Sequence, residues 1–127
     1  MKIPPRRVIL LIEEDKDIRL ILADRLRSHG YGVRVAENSQ VALRVLNRIN
    51  LSAIVLDTEL QGSDRFALLD SIQRQRPLIP IIVISPYAGY QHRALRAGAH
   101  AFFHKPLDLR ALLIVLERAI QPTPAAI

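Results

Sequence analysis

The chain has 127 residues, 50% of them hydrophobic, with a mean hydropathy of +0.14, which suits one domain with a substantial core and excludes a disordered chain. Cysteine is absent, which rules out disulfides and thiolate metal sites, and the apolar stretch behind the basic start MKIPPRR reaches Glu13 too soon for a signal peptide or membrane span, so a cytoplasmic protein is expected. The net charge of +6 comes mostly from arginines scattered from Arg19 to Arg96 without interleaved aromatics, a pattern of solvated helix faces and not of a nucleic-acid footprint.

Apolar runs alternate with helical periods along the chain. Val8 to Ile12 predicts a strand, and Asp17 to Ser28 a helix on which Ile18, Ile21, Leu22 and Leu26 recur at helical spacing. His29-Gly30-Tyr31-Gly32 supplies its stop. Val33 to Ala36 predicts the second strand; Asn38 or Ser39 then caps a helix expected to bury Val41, Leu43, Val45, Leu46 and Ile49. Ala53 to Leu56 is the third strand. Ser63 or Asp64 caps the next helix, with Phe66, Leu68, Leu69 and Ile72 inward and Pro77 marking its exit. Ile81 to Ile84 predicts the fourth strand, Tyr90 to Ala97 a helix ended by Gly98, and Ala101 to His104 the fifth strand. A fifth helix follows Asp108: Leu109, Leu112, Leu113, Leu116 and Ile120 should bury against the sheet, leaving Ile114 and Val115 partly outward. Five strand–helix alternations predict a doubly wound α/β sheet with helices on both faces. Residues 1–121 form its one domain, and 122–127 a tail or the start of a linker.

Polar groups stand directly after four of the strands: Glu13 and Glu14, Asp57, Ser85 and Lys105. Parallel strands bring such groups out at their carboxyl ends, where open α/β sheets bind ligands. Each has a plainer explanation. Glu13, Glu14, Asp15 and Asp17 suit an acidic helix-capping turn, Asp57 and Ser85 suit loops, and Lys105 suits a surface. Their convergence is what favours a site, one able to hold a divalent cation and a phosphoryl group. Lysine otherwise occurs only at Lys2 and Lys16, which sets Lys105 apart. His29, His92, His100 and His104 share neither a helical face nor a metal-ligand spacing.

The segments LIEEDKDIR, IVLDTELQGSD, VISPY and ALRAGAHAFFHKPLD, in that order, resemble the motifs of response-regulator receiver domains, and the likeness runs from about Arg7 to Ile120. It implies a flavodoxin-like, doubly wound, five-stranded parallel sheet in the order 2-1-3-4-5 with five helices. It implies that Asp57 accepts a phosphoryl group from a sensor histidine kinase or histidine phosphotransfer protein, with Lys105 pairing with that group and Ser85 donating to it. Mg²⁺ would be held by Glu13, Glu14, Asp57 and the backbone carbonyl of Glu59, and Phe102 would be the switch aromatic that follows the hydroxyl. Lys105-Pro106 would be a cis peptide, a form open to it because proline follows. The resemblance further suggests a homodimer through helix four, strand five and helix five, using Ile114, Val115, Arg96 and Arg118. Such a domain is no enzyme beyond its own phosphorylation and dephosphorylation, binds no nucleic acid directly and enters no membrane.

Four positions depart from the family pattern. Glu14 stands where Asp is usual, moving the carboxylate by roughly 1.5 Å, a large displacement for a near-octahedral ion. Pro86 stands where a backbone N–H usually meets the phosphoryl group, and proline has none. Gln61 and Arg65 replace a common proline and glycine. These departures keep a second reading open, a receiver-like binding module whose phosphorylation is weak or lost. Two enzyme classes are excluded: acids after the first strand would repel a dinucleotide pyrophosphate, and a haloacid-dehalogenase-type phosphatase carries its nucleophile after the first strand with Asp two residues on, whereas Glu59 is two beyond Asp57.

Overall fold

A computed structural model describes residues 7–59 and 65–120. All five predicted strands are present: β1 (Val8–Ile12), β2 (Gly32–Ala36), β3 (Ala53–Asp57), β4 (Ile81–Ser85) and β5 (Ala101–His104). All pair parallel, in the order β2-β1-β3-β4-β5. Between and after them run α1 (Lys16–Ser28), α2 (Ser39–Arg48), α3 (Arg65–Gln75), α4 (Gln91–Arg96) and α5 (Leu109–Ile120), a flavodoxin-like doubly wound arrangement.

The period-two alternation of a strand splits the core into two layers. Ile9, Leu11, Val55, Ile82 and Ile84 face α1 and α5, meeting Leu22, Leu26, Leu112 and Leu116. Leu10, Ile12, Ile54, Leu56 and Val83 face the other way, toward Leu46 of α2, Leu69 and Ile72 of α3 and Ala94 of α4. Both faces are covered, which is why β1, β3 and β4 read as unbroken apolar runs and not as alternating ones. Each large aliphatic buried there contributes roughly 1.5–3 kcal/mol.

Helix boundaries follow their caps. Asp15 accepts from the backbone N–H groups of Asp17 and Ile18 and starts α1 one residue before the predicted Asp17. Gly30, at φ +91°, ends it, with Tyr31 N–H reaching the carbonyl of Leu26. Asn38 caps α2 through the N–H of Val41, and Asp108 caps α5 through that of Ala111. A 3-10 turn at Ala88–Tyr90 precedes α4. The Ser63 or Asp64 cap and the tail at 122–127 lie outside the described residues. Among the described residues no helix is long and apolar enough to cross a membrane.

On α1 and α2 the fully buried face is narrower than the apolar spacing alone suggests. On α1 the buried stripe is Leu22, Ala23 and Leu26, while Ile18 and Ile21 are 37% and 63% exposed. At 100° per residue Ile21 lies roughly 140° round the helix from Leu26, so the sheet cannot cover both. On α2 only Ala42 and Leu46 are fully buried, and Val41, Leu43 and Val45 are half-buried at the flanks. On α5 Ile114 is exposed, but Val115 is half-buried and packs with the core beneath α1 and α5.

Candidate functional site

The sheet order reverses between β1 and β3, and there the strand ends open onto a cleft of about 330 Å³ lined by Glu13, Glu14, Asp15, Ile18, Glu59 and Lys105. Asp57 is the last residue of β3 and Ser85 the last of β4, each one position beyond the predicted strand end. Glu13, Asp57 and Ser85 are 3%, 2% and 0% exposed. Glu13 N–H bonds the carbonyl of Ala36. Lys105 N–H bonds that of Ser85, which aims the lysine stem across the strand ends. The Lys105 ammonium donates to Oδ2 of Asp57 and lies 3.5 Å from Glu59 Oε1 and 3.8 Å from Glu13 Oε1. The Lys105–Pro106 peptide is cis.

The acidic run divides its labour. Asp15 caps α1, as the plainer explanation of that run requires, whereas Glu13 turns inward and accepts from Asp15 N–H at 3.3 Å. Arg19 reaches back from α1 to the carbonyls of Glu13 and Glu14, at 3.0 and 3.2 Å, and fixes the loop. Asp57 Oδ1 accepts from Glu59 N–H at 2.7 Å, so one carboxylate oxygen is tied to its own loop and the other to Lys105.

Crowding of anions sets the electrostatics. Burial pushes the Glu13 carboxyl up to about 8; a hydrogen bond with Asp57 and the Asp57 charge add to the rise, against the pull of Lys105 and of Asp15 N–H. For Lys105, burial works to lower the pKa, but the hydrogen bond to Asp57 and the charges of Asp57, Glu13 and Glu59 outweigh it and hold the ammonium above the usual lysine value. Without a cation, the pocket therefore balances its acids with one lysine and a retained proton.

At the second strand end, Ser85 Oγ accepts from Thr58 Oγ1 at 2.8 Å and from Tyr87 N–H at 3.0 Å. Pro86 offers no N–H, and its carbonyl lies 2.9 Å from His104 Nε2. Phe102 is half-buried and packs with the core on the α4 side. Arg96, Arg118 and Ile114 are exposed on α4 and α5, away from the cleft's lining. Glu14 lines the cleft half-buried, yet among the described residues no three His, Asp or Glu side chains come together as a metal site. Sequence reasoning missed Arg19, Thr58, His104 and the Glu59 carboxylate. Only Glu59 had a signal, its charge two residues past Asp57.

Residues 9–117 match the family model of the response regulator receiver domain. The chain belongs to this family. The receiver is 36% identical over 119 residues to an NtrX-like response regulator of Rickettsia bellii, a match covering 91% of this chain and 25% of the relative. The receiver domain of NtrX from Brucella abortus superposes with a TM-score of 0.84 at 35% identity, covering 91% of this chain and 99% of that one. The response regulator TrrA of Thermotoga maritima, solved in complex with Mg²⁺-BeF, gives a TM-score of 0.82 at 24% identity over 89% and 98% of the two chains and shows the shared fold. This receiver spans about a quarter of the length of the curated relatives it matches.

Proposed function

We propose that this domain is a phosphorylation-controlled signalling receiver in which Asp57 is the phosphoacceptor. The observation that carries the proposal is the buried Asp57 carboxylate, in contact with the Lys105 ammonium and beside Glu13 at the open end of a parallel sheet. One Asp57 oxygen forms a bond to phosphorus in line as the donor's bond breaks and its leaving group takes the electron pair. Lys105 then transfers its hydrogen bonding from Asp57 to the phosphoryl oxygens, and Ser85 donates to them; Phe102 is the switch aromatic that follows Ser85. The donor set fits Mg²⁺, which accepts a few hard oxygens and keeps several waters: Glu13, Asp57 and the Glu59 carbonyl would hold it, with Glu14 joining directly or through water. When bound, Mg²⁺ neutralises charge between the carboxylate and phosphoryl oxygens.

Receivers take their phosphoryl groups from histidine kinases or phosphotransfer proteins. The exposed Ile18 and Ile21 support docking of such a donor: with Leu22, Pro106 and Leu107 they line an apolar cleft of about 280 Å³ that shares Lys105 with the acidic one. A partner seated there would present its phosphohistidine to Asp57. Downstream, self-association through α4, β5 and α5 is the output we favour.

Intact-mass spectrometry after incubation with acetyl phosphate and Mg²⁺ tests the assignment. Wild type should gain one phosphoryl group and Asp57→Asn none. Pro86, which lacks a phosphate-binding N–H, favours the second reading, a binding module independent of phosphorylation. An unlabelled wild type beside a labelled control receiver would establish that alternative.

A further inference from the structure

The neighbour of Asp57 has a hydroxyl with a task of its own. Thr58 is 2% exposed, and its N–H bonds the Ile84 carbonyl, which sets the residue alongside the end of β4. There Thr58 Oγ1 donates to Ser85 Oγ at 2.8 Å, in a contact buried on both sides. A hydroxyl has one proton to give and two lone pairs to fill. With Thr58 as the donor of this hydroxyl pair, both lone pairs of Ser85 Oγ are taken, one by Thr58 and one by Tyr87 N–H at 3.0 Å. The Ser85 proton is thus left over, and among the described residues no hydrogen bond from it is seen although Ser85 is 0% exposed. A buried donor without an acceptor is uncommon and points toward a ligand. The next residue in the chain adds no backbone donor, because residue 86 is proline.

We propose that Thr58 is a positioning residue for phosphorylation: by filling the acceptor side of Ser85, it fixes the Ser85 proton as a donor to the phosphoryl group, a donor that counts for more here because residue 86 has no N–H to add. The proposal rests on Asp57 being the phosphoacceptor. It requires no motion of Thr58 itself, only that its hydroxyl remain bonded to Ser85 when the phosphoryl oxygen arrives.

Thr58→Val removes the hydroxyl and keeps the branched shape, whereas Thr58→Ser keeps the hydroxyl and loses the methyl. Calorimetric titration of beryllofluoride in saturating Mg²⁺, using the whole chain, should show affinity falling roughly three- to tenfold in Thr58→Val, the range for one net hydrogen bond. Thr58→Ser should stay within about twofold of wild type, and Mg²⁺ affinity without beryllofluoride should match in all three. In a Ser85→Ala background Thr58→Val should have no further effect, since the residue it acts through is gone. If Thr58→Val does not fold, Thr58→Ala against Thr58→Ser makes the same comparison. Unchanged or tighter beryllofluoride binding in Thr58→Val overturns the proposal, as does an equal loss in Thr58→Ser, the mark of packing alone. A wild type that binds Mg²⁺ but no beryllofluoride instead overturns the phosphoacceptor reading beneath it.

Discussion

Lys105 and Asp57, 48 positions apart in the chain, meet as ammonium and carboxylate across the ends of β5 and β3. The lysine is the nearest cation to three acids at once, with Glu59 and Glu13 within 4 Å. Its removal should therefore be felt as released repulsion. We expect Lys105→Met to lose about 1–3 kcal/mol of stability near pH 8 in urea unfolding, and clearly less near pH 5, where Glu13 holds its proton. An equal loss at both pH values would show that Lys105 acts by packing its stem and not by charge.

Glu13 makes the pocket sensitive to pH in a direction opposite to most carboxylates. Its folded value of about 8 lies above the 4.5 of the free group, so between those values the folded chain holds a proton that the unfolded chain has released. Stability from this group is fully present below about 4.5 and is lost as pH rises through about 8. A cation needs the ionised form. Apparent Mg²⁺ affinity should thus climb with pH up to about 8, by as much as roughly tenfold per unit, and saturating Mg²⁺ should flatten the stability loss. Calorimetric Mg²⁺ titrations from about pH 6 to 8 that give one constant affinity would remove Glu13 from the cation site.

Pro86 sits in a loop that does not depend on the proline ring for its place. Its carbonyl is held by His104 Nε2, and the next N–H bonds Ser85 Oγ. Pro86→Ala should therefore keep the loop and add one N–H to the pocket. Acetyl phosphate labelling should quicken and beryllofluoride binding tighten, by an amount comparable to one charge-assisted hydrogen bond, about 1.5–3 kcal/mol at most. Labelling no faster than wild type would mean that the missing N–H does not limit the reaction.

Gly98 closes α4 at φ +106°, and a Cβ there would lie 2.7 Å from Cδ of Gln73. Two penalties add: a backbone that side chains rarely adopt and a close contact with α3. Gly98→Ala should lower stability by about 1–3 kcal/mol, and pairing it with Gln73→Ala should recover the contact but not the backbone part. Complete recovery in the double variant would locate the whole effect in Gln73.

The parallel strands, the helices on both faces and the four strand-end groups were legible because each rests on a local pattern, an apolar run at β1, β3, β4 and β5 with a polar residue directly after it, whereas the strand order came only with the family resemblance. What was not legible depends on partners distant in sequence. Ile18 lies one turn from both Ile21 and Leu22, and only the arc of α1 that meets the sheet decides which of these is covered. Thr58 looks like any small polar residue after a strand until the β3–β4 register sets it beside Ser85. Arg19 was read as a solvated cation, yet a long side chain can fold back along its helix to bare carbonyls, and nothing in the spacing announces that.

Helices α4 and α5 flank the edge strand β5 from opposite faces of the sheet, and each presents one bare aliphatic: Leu95 is 43% and Ile114 46% exposed. Arg96 and Arg118 are exposed on the same two helices. Val115, expected partly outward beside Ile114, is half-buried and also packs with the core, so it is a poor position for a surface test. Single exposed aliphatics are ordinary on a protein surface, and what favours an interface here is that both border the edge strand β5. A symmetric pair would cover that edge and both side chains together. Wild type with Mg²⁺ and beryllofluoride should sediment as a dimer at high micromolar concentration, and a Leu95→Glu, Ile114→Glu double variant should stay monomeric with unchanged thermal stability. Val115→Glu should instead lower the melting temperature, because it places a charge against Leu112 and Leu116's layer. A wild type that remains monomeric with and without beryllofluoride would leave this face to a different partner.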